Sequence, residues 1–364
     1  MSATVAGTSS AELVLRALLT EPGPRTRAEL AVACGLSRPT VFAAVERLQS
    51  LGLVAPVGQR SGVPGRTAAL FDLTPGLGCV AGIDVGGTNL RVGVGDLRGR
   101  LLSETRRRTQ ARGGARVVRQ AATVLRGVHQ VAAPDTPLLA VGVSIPGVVD
   151  ERDRVVRFAW NVGQAEPYDF LSRFGDAIDA PLLLENNVNL AALGEMWQGA
   201  ARDLHTFAVI SVGAGIGAGV VHNNVLLRGA HGAAGEVAFL PLRTPPRTVR
   251  TVEDEAGAVA LLKAAQARDD WSSHAPKDVA ELFEQARRGE PAAVELVDDE
   301  CQRIGETIAA VCAVVDPQAV ILAGGVGSND LLIERATAVA RSLSPDIPPV
   351  LRSGLGERAS LIGA

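Results

Sequence analysis

Asp84-Val85-Gly86-Gly87-Thr88-Asn89 is the stretch of this chain with the plainest chemical meaning. Two adjacent glycines let backbone N–H groups approach phosphate oxygens with no Cβ in the way, Thr88 adds a hydroxyl, and Asp84 could hold a hydrated magnesium ion. Gly213-Ala214-Gly215-Ile216-Gly217 would cradle phosphates from the opposite side, and Gly324-Gly325-Val326-Gly327 could let a base and ribose lie against backbone. Each glycine pair alone also reads as an ordinary hairpin turn. Three such loops in this order point to one ligand cleft.

Those loops need strands to hold them. After Thr74-Pro75-Gly76 the pattern gives strands over Cys79 to Asp84, Asn89 to Val94 and Leu101 to Arg106, a helix from about Gly114 to Val131, and a buried strand from Leu138 to Ser144. A similar order recurs with Phe207 to Ser211, Gly217 to His222 and Val225 to Arg228, then helices and the strand Ala319 to Leu322. Two related halves, each opening on a Gly-rich hairpin, predict a duplicated α/β domain with a cleft between its lobes.

The first 76 residues follow another pattern. Glu12 to Leu19 is helical and stops at Glu21-Pro22-Gly23-Pro24. Thr26 can cap a short second helix with an apolar face of Leu30, Ala31 and Ala33, which Gly35 ends in a tight turn. Ser37 then caps a third helix, with Pro39 in its first turn and Val41, Ala44, Leu48 and Leu51 as its buried stripe. Arg38, Thr40 and Phe42 are left to face base edges in a major groove. Val54 to Leu73 reads as a two-stranded wing turning at Ser61 to Arg66, with Arg60 and Arg66 placed for phosphate or the minor groove. The winged helix-turn-helix thus predicts a DNA contact set of Arg27, Ser37, Arg38, Thr40, Phe42, Arg60 and Arg66. Three short helices used only for dimerisation are the alternative.

Composition sets outer limits. A chain of 364 residues, 47% hydrophobic and 21% charged, can fill two or three packed domains. A net charge of -3 excludes a generally basic nucleic-acid coat, so DNA binding must come from a local patch. Cys34, Cys79, Cys301 and Cys312 form no CxxC pair, which suggests neither a disulfide framework nor a thiolate zinc site. No signal peptide and no apolar run of membrane-spanning length is read, so the expected location is the cytoplasm, with no membrane partner.

Taken together, these motifs resemble the ROK family (repressors, uncharacterised reading frames and sugar kinases), in its winged-helix regulator branch and over essentially the whole length. The resemblance rests on Gly82 to Asn89, Pro146-Gly147-Val148-Val149-Asp150, Glu185-Asn186-Asn187-Val188-Asn189, Gly213 to Gly217 and Gly232-Ala233-Ala234-Gly235-Glu236. It implies an actin-like ATPase (ribonuclease H-like) fold of two lobes over residues 77–364, behind a winged helix over 1–76. It also implies a sugar bound between the lobes and a homodimer or homotetramer. Carried over position by position, the sugar-facing residues are Asn186, Asn187, Glu236, Glu253 and Asn161; for Glu236 and Glu253 a surface or helix-capping carboxylate stays open. The nucleotide-phosphate residues, vestigial or not, are Asp84, Gly86, Gly87, Thr88, Asn89, Gly213, Gly215, Gly217, Gly324 and Gly325.

The departures from the family matter most. Its kinases place a general-base Asp where this chain has Asn187, an amide with no basic lone pair, so no catalytic residue is expected. The threonine of the second loop is Ala214, which lowers the expected affinity for ATP and magnesium. The histidine of the zinc motif is Phe239, and Leu240 to Val252 holds no thiol, so no zinc is expected; His231 reads as a polar loop residue. The family's last helix would start about where this chain stops, at Leu361-Ile362-Gly363-Ala364. The leading expectation is a regulator, a repressor as in its branch, that binds double-stranded DNA at a palindromic operator and senses a sugar or sugar phosphate without phosphorylating it. An ATP-dependent sugar kinase with a regulatory DNA-binding domain, and a DNA-binding regulator with a non-sugar or lost ligand, are the alternatives.

Overall fold

The computed structural model describes residues 9–20, 23–61, 67–110, 113–150, 152, 155–159, 162–163, 166–242 and 250–364. The chain packs as two compact units, Met1–Ala81 with Val94–Ser103 and Gly127–Ala140, and Gly82–Gly93 with Glu104–Arg126 and Val141–Ala364.

In the first unit α1 (Ser10–Thr20) leads through β1 (Arg25–Thr26) to α2 (Arg27–Cys34), α3 (Arg38–Ser50) and the strands β2 (Val54–Ser61) and β3 (Thr67–Leu73), which form an antiparallel sheet of order β1-β3-β2. The turn between α2 and α3 forms because each side of it is capped. Thr26 and Glu29 make a reciprocal capping box at the start of α2, Gly35 ends that helix at φ 63°, and the Ser37 hydroxyl accepts from Thr40 N at 3.3 Å to start α3. Val14, Leu18, Leu30, Val41, Val45, Leu48 and Phe71 fill the core beneath. Two expected core positions are corrected. Leu51 is 61% exposed because α3 ends at Ser50 and leaves it in the turn, with Val45 buried in its stead; Ala33 of α2 is also exposed. Within the same unit Arg98 donates from Nε (3.1 Å) and Nη2 (3.0 Å) to the Leu18 carbonyl near the end of α1 and pairs with Asp72 of β3.

Next along the chain come β4 (Cys79–Val85), β5 (Asn89–Gly95), β6 (Leu101–Arg108), α4 (Gly114–Ala132), β7 (Leu138–Ile145), the small hairpin β8 (Val148–Asp150) and β9 (Val155–Arg157), α5 (Phe170–Gly175), β10 (Leu182–Asn186) and α6 (Asn187–Gln198). The chain continues with β11 (Phe207–Val212), β12 (Ile216–His222), β13 (Val225–Leu226), a 3₁₀ turn (Val237–Phe239), β14 (Pro241–Leu242), β15 (Arg250–Thr251), α7 (Val252–Glu255), α8 (Ala258–Gln266), α9 (Val279–Arg287) and α10 (Pro291–Val315). It finishes with β16 (Val320–Ala323), α11 (Gly324–Gly327), α12 (Asp330–Leu343), β17 (Val350–Arg352) and α13 (Ala359–Gly363).

The two five-stranded sheets have the orders β10-β7-β4-β5-β6 and β13-β12-β11-β16-β17. Read from the hairpin strands inward, both run third, second, first, fourth, fifth, so the duplication expected from the two Gly-rich hairpins is present in the topology. In the second sheet β11 pairs antiparallel with β12 and parallel with β16, and β16 pairs parallel with β17. Its buried Val and Ile strands pack on α10, with Leu296, Val297, Ile304 and Ile308 facing the core. A helix stands at Leu361-Ile362-Gly363: α13 lies on α6, and a Cβ at Gly194 or Gly363 would run into Ala359 O or Leu190 O, respectively. Among the described residues no single helix is long and apolar enough to cross a membrane.

Candidate functional site

The second unit holds a cleft of about 330 Å³, lined by the first Gly loop, the start of α6, the second Gly loop, and the segments carrying Glu236 and Glu253. At the first loop the chain leaves β4 at Val85, just after Asp84, and turns back into β5. Gly86 N donates to Asn89 O at 2.9 Å and Thr109 Oγ1 donates to Gly86 O at 2.7 Å, so the Gly86 N–H closes the turn and is not open to a ligand. Gly87, Thr88 and Asn89 also line the cleft. Asp84 accepts from Ser144 Oγ at 2.7 Å; burial pushes its pKa up to about 6, against the pull of that hydrogen bond and of Arg91.

Asn186 and Asn187 stand where β10 passes into α6. Asn186 lies on the cleft wall, but its amide is committed internally: Oδ1 accepts from Val188 N (2.7 Å) and Asn189 N (3.2 Å), and Nδ2 donates to Gly147 O at 2.8 Å. It is the N-cap that starts α6. Among the described residues the Asn187 side chain makes no such bond, and it faces the cleft; its backbone carbonyl accepts from Ser360 Oγ at 2.9 Å. Glu185 is held by Arg228 Nε at 2.6 Å and accepts from Asn189 Nδ2 at 3.0 Å.

On the other side Glu253, in α7, accepts from Ile216 N at 3.0 Å, and Gly215 has no side chain because a Cβ there would meet that carboxylate. Glu236 also lines the cleft, its carboxyl raised above the usual range by burial and secondarily by the nearby charge of Glu253. Gly213 and Gly217 belong to the same wall. Gly324 and Gly325 do not: they open α11, and Gly324, at φ 84°, lies where a Cβ would run into Val212 O. Gly324 thus serves backbone packing against β11, whereas a Cβ at Gly325 would meet nothing. Behind the second loop, Ala258 N donates to Gly213 O at 2.8 Å and Gly257 N to the buried Glu300 at 3.0 Å. Asn161 lies outside the described residues. Among the described residues no cluster of three or more His, Cys, Asp or Glu side chains is placed to hold a metal ion.

In the first unit, Arg38 and Phe42 are exposed at the N-terminal part of α3. Ser37 and Thr40 are tied to each other at the cap. Arg27 is not extended into solvent: its guanidinium lies 4.3 Å from the Phe42 ring and 4.4 Å from the Phe71 ring, which makes it a support for Phe42. Arg60 pairs with Glu29, the capping-box carboxylate. Arg66 lies outside the described residues.

Sequence reasoning missed Arg91, Phe158 and Glu357, all on the cleft wall. Arg91 sits in β5 and pairs with Glu357. Phe158 has a φ of 59°, rare for a bulky side chain, and no local residue pattern announces it.

These parts define a class: an N-terminal winged helix ahead of a duplicated, two-lobed α/β domain of kinase-like topology. The ROK family model matches residues 80–364 and the MarR family model residues 10–66. The chain belongs to the ROK family. The xylose repressor of Bacillus subtilis (strain 168) is 25% identical over 360 residues, 96% of this chain and 89% of that protein. A glucokinase of Halalkalibacterium halodurans is 26% identical over 275 residues, 70% of this chain and 82% of its own. Among solved structures, a ROK hexokinase from Thermus thermophilus is 32% identical, covers 78% of this chain and 96% of its own, and superposes with a TM-score of 0.66. A ROK family transcriptional regulator described as a homolog of the E. coli MLC protein shares the fold over 98% of this chain and 94% of its own, at a TM-score of 0.81 and 18% identity.

Proposed function

We propose that this protein is a DNA-binding transcriptional repressor whose kinase-like domain binds a sugar or sugar derivative without phosphorylating it. The observation that carries the reading is Asn187: a side chain facing the cleft with no hydrogen-bond partner among the described residues, able to give and accept hydrogen bonds but not to take a proton from a hydroxyl. Losing a positioned base costs about 10²–10⁴-fold in rate and leaves binding in place. Full-length similarity to xylose repressors and the capped, Arg-bearing α3 support the regulatory half. Effector and DNA are coupled by linkage, since a ligand that prefers one state of the chain changes DNA affinity by its differential affinity for the two states.

The protein works in the cytoplasm as a homodimer or homotetramer, with paired α3 helices roughly 34–36 Å apart on a palindromic operator. It requires neither nucleotide nor zinc. Asp84 and the first loop would hold magnesium and phosphates if ATP binds, while Gly324 and Gly325 lie off the cleft wall. The test is a gel shift on the DNA upstream of its own gene, with and without a panel of sugars and ATP, beside a single-turnover phosphorylation assay. Sugar-dependent release without turnover supports the reading; turnover at ordinary kinase rates refutes it and favours a sugar kinase with a regulatory DNA-binding domain, the reading to which Asp84 and the first loop lend weight.

A further inference from the structure

Phe42 stands 46% exposed on α3, outside the buried stripe of Val41, Ala44, Val45 and Leu48 and four residues after the exposed Arg38, so the two share a helical face. A single exposed apolar side chain is ordinary on a protein surface; what sets Phe42 apart is how it is held. The Arg27 guanidinium lies over its ring, 4.3 Å from the centroid, and 4.4 Å from the centroid of Phe71, a buried residue of β3. Arg27 Nε is buried and has no hydrogen-bond partner among the described residues. The guanidinium therefore ties the Phe42 ring to the core through Phe71, covering one ring face and leaving the other toward solvent.

The polar groups beside this ring are suited to other tasks. Arg38 can donate to guanine or to phosphate, and the Ser37 and Thr40 hydroxyls are bonded to each other at 2.7 Å. A phenyl ring can neither donate to nor accept from a base edge, and the apolar group that bases present in the major groove is the thymine C5-methyl. Set against the polar edge of a G·C pair instead, the ring would desolvate donors and acceptors without replacing their hydrogen bonds. We infer that Phe42 reads a thymine methyl in the operator and that Arg27 is the positioning residue that holds the ring for it. The inference rests on the DNA-binding function and adds one base to what α3 recognises.

The test starts from the duplex that the full chain enriches from randomised DNA. Its thymines are replaced by uracil one at a time, which removes the methyl and leaves the hydrogen-bonding edge intact, and affinities are compared by gel shift at fixed salt. At the thymine under Phe42 the wild type should bind the uracil duplex about fourfold more weakly, the worth of one buried methyl-sized group. Phe42→Ala, at a half-exposed site that tolerates truncation, should bind both duplexes equally. Arg27→Lys, which keeps the charge but not the planar face, should cut the discrimination to about twofold and leave binding to unrelated DNA unchanged. Wild-type affinity indifferent to every uracil, a comparison that needs no variant to fold, overturns the assignment. So does discrimination that survives Phe42→Ala, and full discrimination in Arg27→Lys removes Arg27 from the positioning role. Enrichment of no DNA at all sinks the regulator and the assignment with it, whereas specific binding that ignores the methyl groups sinks the assignment alone.

Discussion

Glu300→Gln should stabilise the protein above neutral pH and remove most of the loss of stability that the wild type suffers as pH rises. Glu300 is fully buried on α10 and accepts from Gly257 N at 3.0 and 3.3 Å. Its nearest cation, Arg303, is shared with Glu255 at 3.3 Å and Asp299 at 3.5 Å. Burial therefore dominates and pushes the pKa from 4.5 up to about 7, with the Gly257 hydrogen bond and Arg303 pulling the other way. In the unfolded chain the carboxyl releases its proton near 4.5, whereas the folded chain keeps it to about 7. Between those values the folded state binds more protons, so stability falls as pH rises and levels off above about 7.

The shift corresponds to about 3 kcal/mol of stability lost across that window. Gln keeps an acceptor for Gly257 N and never carries charge. Melting curves for both proteins between about pH 5 and 8 should diverge, with the variant melting roughly 5 °C higher at the upper end. Asp84, raised from 3.8 to about 6, has the same sign, so a residual slope below about pH 6 remains in the variant. Parallel pH slopes, or a variant less stable than wild type at high pH, would refute the reasoning by showing that the buried carboxylate is held ionised at little cost.

Other expectations follow from single contacts. Arg98→Ala removes two hydrogen bonds to Leu18 O and the partner of the half-buried Asp72, and should destabilise the first unit by about 1–3 kcal/mol, read as faster amide exchange in α1 and β3. Unchanged exchange would deny Arg98 that role. Arg38→Ala, at the exposed start of α3, should weaken operator binding by about 1–3 kcal/mol in a gel-shift titration, and equal affinity would remove α3 from the groove. Asn187→Asp should raise ATP-dependent sugar phosphorylation by about 10²-fold over wild type in a single-turnover assay. No gain would mean that Ala214, or the placement of Gly324 and Gly325 off the cleft wall, already prevents productive nucleotide binding.

What could be read from the sequence was local chemistry with few alternatives. Thr26, Gly35 and Ser37 set both sides of the helix turn because caps act within three residues, and the paired glycine hairpins announced the duplicated sheets. What escaped depends on groups distant in the chain. Asn186 looks like a sugar amide until Gly147 and Asn189 are seen to occupy it. The raised pKa of Glu300 comes from burial under α7 and α8 segments some forty positions earlier, visible only once Gly257 docks on it. Leu51 failed for a simpler reason, since helical periodicity cannot say that the helix stops one residue before it.

The separation of binding from chemistry that we propose for this cleft is economical in physical terms. A general base acts only in the transition state, so exchanging its carboxylate for the Asn187 amide lowers rate without removing a hydrogen-bonding group from the ground-state complex. Glu236 and Glu253, which the proposed reading assigns to ground-state recognition, line the same cleft. A regulator needs only that recognition, together with two states that the ligand binds unequally; moving such an equilibrium from 1:99 to 99:1 takes about 5.5 kcal/mol of differential affinity. A turnover step in the cleft would consume the signal that the DNA-binding unit has to read.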